Sequence, residues 1–380
     1  MEQKKKTTKF SKALKTVLPL VFCFIISIIV GGYAGYQFGY YLGEKDMSTM
    51  SIILQLIYFF VSLIVVPLIQ IIVHEGGHLI FGLLTGYTFS SFRIGSFNWY
   101  HDGEKVRFSK VSIAGTGGQC LMNPPDLIDG KIPTFWYNMG GAIANIIVSL
   151  IFLGLYFLFS TTFISLFCTI MALIGFFFAL TNGIPLTMGT VDNDGKNAYN
   201  LQKHPSAQKA FWVGMKIADS LAKGNRVKDI PTEWLYMPED SEMQDTISST
   251  IGIFYENKLV DMHKFDEALE ISVKLLDDNY VITGLHRHLL IADIIFMELL
   301  KGNINIEEFY NKKQKNFMKQ MVNFPSVCRT QYAIEKLVNK DDKKAQKCLD
   351  TFEKIAKTYP YQGDIESERE LIELIQNKEL

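Results

Sequence analysis

The stretch Ile71-Ile72-Val73-His74-Glu75-Gly76-Gly77-His78-Leu79-Ile80-Phe81 decides how this chain reads. It lies inside an apolar run from Ile52 to Leu84 that is long enough to cross a bilayer as a helix. On a helix, His74 and His78 stand one turn apart on one face. Two imidazoles so placed share a metal ion, and the intervening Glu75 reaches the water such an ion carries. Ionisable groups are costly inside hydrocarbon, so a His-Glu-His set flanked by isoleucine and leucine argues for function more strongly than the pattern alone.

Around this stretch the composition is uneven. Of 380 residues, 48% are hydrophobic and 20% charged, but the apolar runs lie before about Pro185, and the segment after about Lys196 has the charge density of a soluble helical protein. A net charge of −1 gives no reason to expect nucleic acid as a partner. Cys23, Cys120, Cys168, Cys328 and Cys348 show no C-x-x-C spacing, so neither a disulfide framework nor a thiolate zinc site is indicated. Reduced thiols on a cytosolic face fit this usage.

The first segment, 1–16, carries Lys4, Lys5, Lys6, Lys9, Lys12 and Lys15, which predicts a cytoplasmic N-terminus. The apolar run that follows is too long for the core of a cleaved signal peptide. It reads as the first of about four transmembrane helices, near 17–43, 51–86, 135–159 and 163–186. Gly31, Gly35, Gly39 and Gly43 line one face of that first helix, where another helix is expected to approach closely. Between the second and third helices, residues 87–113 alternate apolar and polar around Asp102-Gly103, the signal of a short β-hairpin. Arg93, Lys105, Arg107, Lys110 and Lys131 make that segment cytosolic or interfacial. Gly115-Thr116-Gly117-Gly118-Gln119-Cys120 reads as a glycine-rich loop and lacks the lysine of a phosphate loop. Residues 201–380 show helical periodicity in pieces, for example Lys264 to Asp277, Thr283 to Lys301 and Lys343 to Thr358. Phe265-Asp266-Glu267-Ala268-Leu269 and Ala345-Gln346-Lys347-Cys348-Leu349 give this part a tetratricopeptide-like character. The expected architecture is an all-α membrane protein: a transmembrane core over 17–200 with one hairpin, then a cytosolic helical domain over 201–380.

Catalytic zinc takes three protein ligands and keeps one position open, so the two histidines need a partner from elsewhere. Asn182-Gly183-Ile184-Pro185 breaks the last apolar helix, and Val191-Asp192-Asn193-Asp194-Gly195 follows. A broken segment at membrane depth must be buried in protein or face a wet cavity, so it can fold back towards the metal. Asp194 is the expected ligand because Gly195 lets backbone pack beside it, and Asp192 is its competitor. Glu104, Asp126 and Asp129 are further carboxylate candidates, and Cys120 reads as an inert small residue.

With these residues the chain resembles the site-2 protease family of intramembrane zinc metalloproteases. That family carries H-E-x-x-H on one membrane helix and, on a later one, Asn-x-x-Pro leading to Asp-Gly; Asn182, Pro185, Asp194 and Gly195 match in order. Gly141-Ala142-Ile143-Ala144-Asn145 is similar to the family's G-P-x-x-N element, with Ala142 where proline is usual. The spacing from Pro185 to Asp194 is longer than in many members, and there is no recognisable PDZ module. The likeness spans about residues 51 to 200.

The resemblance implies Zn2+ held by His74, His78 and Asp194, with Glu75 as general base in peptide hydrolysis. Asn145 would orient substrate backbone or the oxyanion, with Asn182 and Pro185 beside it, and the hairpin ending at Ile113 would pair with extended substrate. Substrates would be transmembrane or signal-peptide-like, cut in the bilayer of a bacterial cell by a multi-pass protein with both termini in the cytoplasm. The alternative is a membrane scaffold with a structural or vestigial metal site, whose helical domain over 201–380 recruits a cytosolic partner. Transport ranks lower, since no inverted repeat is visible.

Overall fold

The structure, a computed structural model, describes residues 27–40, 48–110, 117–159, 162–188, 191–203, 205–244 and 246–378, with helical positions 21, 24, 25 and 43. The basic segment 1–16 and the end of the expected hairpin at Val111 to Ile113 lie outside them.

Continuous apolar sequence makes long helices here. Among the described residues, three are long and apolar enough to cross a membrane: α1 (Thr49–Leu84), α2 (Thr134–Leu158) and α3 (Thr162–Gly183). Ser48 caps α1, its hydroxyl accepting from the Ser51 amide at 3.3 Å. The 36 residues of α1 span about 54 Å at 1.5 Å per residue, well beyond a hydrocarbon layer of about 30 Å. Its burial is inverted relative to a soluble helix: Gln55, Ser62, Gln70, His74, Glu75 and His78 are buried, while Ile57, Phe60, Ile64 and Ile72 are exposed. Polar inside and apolar outside is the pattern lipid imposes.

Of the expected first crossing, residues 27–40 are helical, and the rest falls largely outside the described residues. Among the described residues the glycine stripe there meets no neighbour: a Cβ at Gly31, Gly35, Gly39 or Gly43 would find no atom within 4 Å. The close crossing is instead between α1 and α2, where a Cβ on Gly77 would fall 2.3 Å from the Gly140 carbonyl oxygen and one on Gly140 would fall 2.6 Å from that of Gly77.

The hairpin region is larger than the alternation predicts. β1 (Thr88–Ile94), β2 (Phe97–His101) and β3 (Val106–Lys110) form an antiparallel meander, and β4 (Gly118–Asn123) adds at the edge in the order β3-β2-β1-β4. Gly95, at φ +58°, turns β1 into β2, and the Asp102 carboxylate accepts from the Glu104 and Lys105 amides to close the second turn. β4 replaces the second half of the expected glycine-rich loop. Gly117 before it and Gly118 at its start hide a period-2 signal, in which Cys120 and Met122 are buried and their neighbours only partly so.

The chain divides into two compact units. The first comprises Met1–Thr88, Gly117–Cys120 and Pro133–His204, and the second comprises Phe89–Thr116, Leu121–Ile132 and Pro205–Leu380. In the first, α3 stops at Gly183, before Pro185, and a two-stranded ladder, β5 (Thr187–Met188) with β6 (Val191–Asp192), leads into α4 (Asp194–Lys203). In the second, eight α-helices follow among the described residues: α5 (Pro205–Ala222), α6 (Thr246–Asp261), α7 (Phe265–Leu275), α8 (Gly284–Lys301), α9 (Lys312–Gln320), α10 (Pro325–Ala333), α11 (Asp342–Ala356) and α12 (Gln362–Gln376). Their core is built on Ile295, Phe296, Val327, Ala333, Phe352 and Ile372. Inside this domain, Arg329 forms ion pairs with Asp293 and Glu368, and Arg226 forms them with Asp261 and Glu370.

Candidate active site

One helical turn separates His74 from His78, and both rings turn to the same point. The Nε2 atoms lie 3.2 Å apart, and Asp194 Oδ2 sits 3.0 Å from His74 Nε2 and 3.3 Å from His78 Nε2. The far side of each ring is already committed. His78 Nδ1 donates to the Tyr137 carbonyl at 2.8 Å, and His74 Nδ1 faces Asn145 Oδ1 at 2.9 Å. Asn145 Nδ2 donates to the Gln70 backbone carbonyl at 3.0 Å and to Gln70 Oε1 at 2.7 Å, so its Oδ1 must be the acceptor for His74. Both imidazoles therefore carry their proton on Nδ1 and present lone pairs from Nε2. Two lone pairs and a carboxylate oxygen within 3.3 Å of one another repel unless a cation lies among them. Borderline nitrogen donors with one carboxylate, on a buried face with outer-shell partners on both rings, fit zinc.

Among the described residues, His74, His78 and Asp194 form the one group of three such side chains able to hold a metal ion. Asp192 is engaged elsewhere, accepting from Thr187 Oγ1 at 2.6 Å. Glu104, Asp126, Asp129 and Cys120 do not belong to the group. Cys120 is buried, and burial pushes its thiol pKa up, which keeps it protonated.

Backbone geometry brings Asp194 to the histidines. Asn193 Nδ2 donates to the carbonyls of Thr181 at 2.7 Å and Ile184 at 2.6 Å, covering acceptors freed where α3 ends. Its Oδ1 accepts from the amides of Leu186 at 3.0 Å and Lys196 at 2.9 Å, the latter capping α4. Gly195 then packs so tightly that a Cβ would fall 2.1 Å from the Gly183 carbonyl oxygen. The broken helix end and the start of α4 are thus clamped together, with Asp194 as the first residue of α4.

The remaining expected residues divide. Asn145 is fully buried and holds His74. Asn182 donates back to Phe178 in its own helix at 2.9 Å, and Pro185 is exposed just beyond the helix end. Glu75 is 9% exposed and lies against β4: a Cβ on Gly118 would fall 2.7 Å from Glu75 Cγ and 2.8 Å from its Oε1. Sequence reasoning did not single out Gln70, Tyr137, Asn193 or Gly118. Gln70 had a signal, since it precedes His74 by four residues on the same face and is a buried amide in a membrane helix.

The model of peptidase family M50 matches residues 58–378. This chain belongs to that family, the site-2 proteases. The M50 match covers the metal-site helix and continues through the helical domain. M50 proteins are zinc metalloproteases acting in membranes, and the three apolar helices and the His74-His78-Asp194 group fit that membership. No curated protein and no solved structure matches the chain.

Proposed function

We propose that this M50 chain is an intramembrane zinc endopeptidase that cuts transmembrane or signal-peptide-like segments, with His74, His78 and Asp194 holding the metal and Glu75 as the base. The observation that carries the reading is the convergence of two Nε2 lone pairs and one carboxylate oxygen within 3.3 Å, on a face of α1 that also presents Glu75. Zinc bound there supplies a Lewis acid for the scissile carbonyl and lowers the pKa of its water towards neutrality. Glu75 accepts a proton from the attacking water and returns it to the leaving amine. Asn145 and the Tyr137 carbonyl hold the imidazoles in the tautomer that leaves Nε2 available.

A substrate helix has its amides bonded internally and must unwind before attack, which favours helix-breaking residues near the cut. Once extended, the segment needs a backbone partner, and β4 at the sheet edge, with Gly118 against Glu75, is where strand addition would align it with the base. This moves the pairing edge from the segment ending at Ile113 to β4. The chain is read as a multi-pass protein of a bacterial cell membrane with both termini cytoplasmic, supported by the amino-terminal lysines and the three apolar helices. The helical domain over 201–380 is the surface for a cytosolic partner.

The test compares membrane proteins and released peptides in cells carrying the intact chain or Glu75→Gln. The expected result is a set of fragments that disappears with Glu75→Gln although the purified variant keeps its zinc. Equal fragments from both forms would overturn the assigned base.

A further inference from the structure

The helical domain contains a partly open cavity of about 220 Å3. A dry cavity of roughly 150 Å3 accepts a benzene-sized guest, so this one holds a group of one or two residues and no larger body. Its wall is mixed: Phe254, Leu289 and Phe324 are apolar, while four carboxylates (Asp261, Asp293, Asp364 and Glu368) face one guanidinium, Arg329. Three of those carboxylates are already engaged. Asp293 and Glu368 share Arg329, and Asp261 takes Arg226 together with the Lys228 amide at 2.9 Å.

Asp364 has no cation and no hydrogen bond among the described residues, although it lies in the first turn of α12 and faces the space. Burial first, and then the neighbouring Asp261, push its pKa up to about 7. Two other polar atoms on the wall also lack partners. Arg329, whose side chain is 2% exposed, leaves its Nε–H without an acceptor, and His286 leaves its Nδ1 without any hydrogen-bond partner. Unmatched buried atoms like these two are rare in a native interior, and with the half-buried Asp364 carboxylate beside them the wall calls for a ligand that supplies both a donor and an acceptor.

A cation alone would answer Asp364 and leave the Arg329 Nε–H without an acceptor, whereas an anion would answer that Nε–H and meet excess negative charge. We propose that this cavity binds the N-terminal residue of a peptide, its α-ammonium on Asp364, its carbonyl oxygen on the Arg329 Nε–H and its apolar side chain against Phe254, Leu289 and Phe324. An N-terminal residue carries an ammonium, a carbonyl and an apolar side chain within the reach of one small cavity. A lysine side chain offers the ammonium and stem without an adjacent carbonyl. The site lies wholly in the second unit and does not depend on the zinc-site reading.

The test uses full-length protein in detergent, in the Glu75→Gln background so that no probe is hydrolysed. Three probes are titrated by calorimetry: leucyl-phenylalaninamide with a free amine, its N-acetyl form and Nα-acetyl-lysinamide. The free-amine dipeptide is expected to bind saturably, N-acetylation and Asp364→Asn each to weaken it at least tenfold, and the lysine derivative to bind at least tenfold more weakly. Ser367→Trp, which fills the space and keeps every carboxylate, should also abolish binding, with thermal melts verifying that both variants fold. Equal binding of the acetylated dipeptide or the lysine derivative, indifference to Asp364→Asn, or no saturable binding at millimolar probe would each overturn the proposal.

Discussion

Gly141 lies against the imidazole of His74: a Cβ at this position would fall 2.5 Å from Cε1 and 2.6 Å from Nδ1. The ring cannot swing away without breaking its bond to Asn145 or leaving Asp194. Gly141→Ala should therefore displace a proposed ligand while α2 gains helix propensity. Zinc affinity by chelator competition is expected to fall at least tenfold with α-helical content unchanged. Wild-type zinc affinity in this variant would mean that the ring is not constrained as described.

Gln70 reaches His74 through Asn145, and its own amide is tied to the Met171 carbonyl at 2.9 Å. It is a positioning residue. Gln70→Met keeps volume and removes the side-chain half of the anchor, leaving Asn145 held only by the backbone carbonyl of residue 70 and loosening its grip on His74. Outer-shell losses of this kind typically cost about 10–100-fold in metal affinity. If only the melting temperature moves and zinc binding does not, the amide serves packing alone.

The two candidate aspartates separate cleanly by zinc content. Asp194→Asn removes the carboxylate charge that faces both Nε2 atoms, and retained zinc is expected to drop by orders of magnitude. Asp192→Asn alters only the Thr187 side-chain contact and a longer one from Asn200, and should keep its zinc. Equal loss in both variants would contradict this separation.

Much of this was legible before any coordinates. Three membrane helices announce themselves because lipid demands unbroken apolar sequence, and His74-Glu75-His78 is local, its geometry fixed by one helical turn. Asp194 could be preferred to Asp192 only through the glycine after it, because what brings it to the histidines is Asn193 bridging the carbonyls of Thr181 and Ile184, contacts 12 and 9 residues distant. β4 was not legible at all. Glycine lowers strand propensity, so Gly117-Gly118 reads as loop, and the reason for a glycine at 118 lies across space on Glu75. The outer partners of the histidines were hidden for the same reason: Asn145 is 71 residues from His74, and no local pattern joins them.

Gly118→Ala tests whether β4 matters to the chemistry rather than to the metal. The added methyl presses on Glu75 Cγ and Oε1 and touches none of the proposed ligands. Zinc content is expected to stay normal while cleavage falls at least tenfold, a barrier increase of about 1.4 kcal/mol or more. Full activity would place the reacting geometry away from β4.

Asp364 and Glu368 make the helical domain sensitive to pH. Burial pushes both to about 7 in the folded chain, above their ordinary carboxylate values. The folded state therefore binds more protons than the unfolded one between about pH 4 and 7, and stability falls as pH rises through that window by up to about 1.4 kcal/mol per unit for each group. Below it both states are protonated, so the contribution is fully present; above pH 7 it is lost. Asp364→Asn removes one of these groups without removing an ion pair, so it should raise the melting temperature at pH 8 by several degrees and change little at pH 4. Thermal melts at the two pH values check this, and an equal shift at both would show that Asp364 is not held as a buried acid.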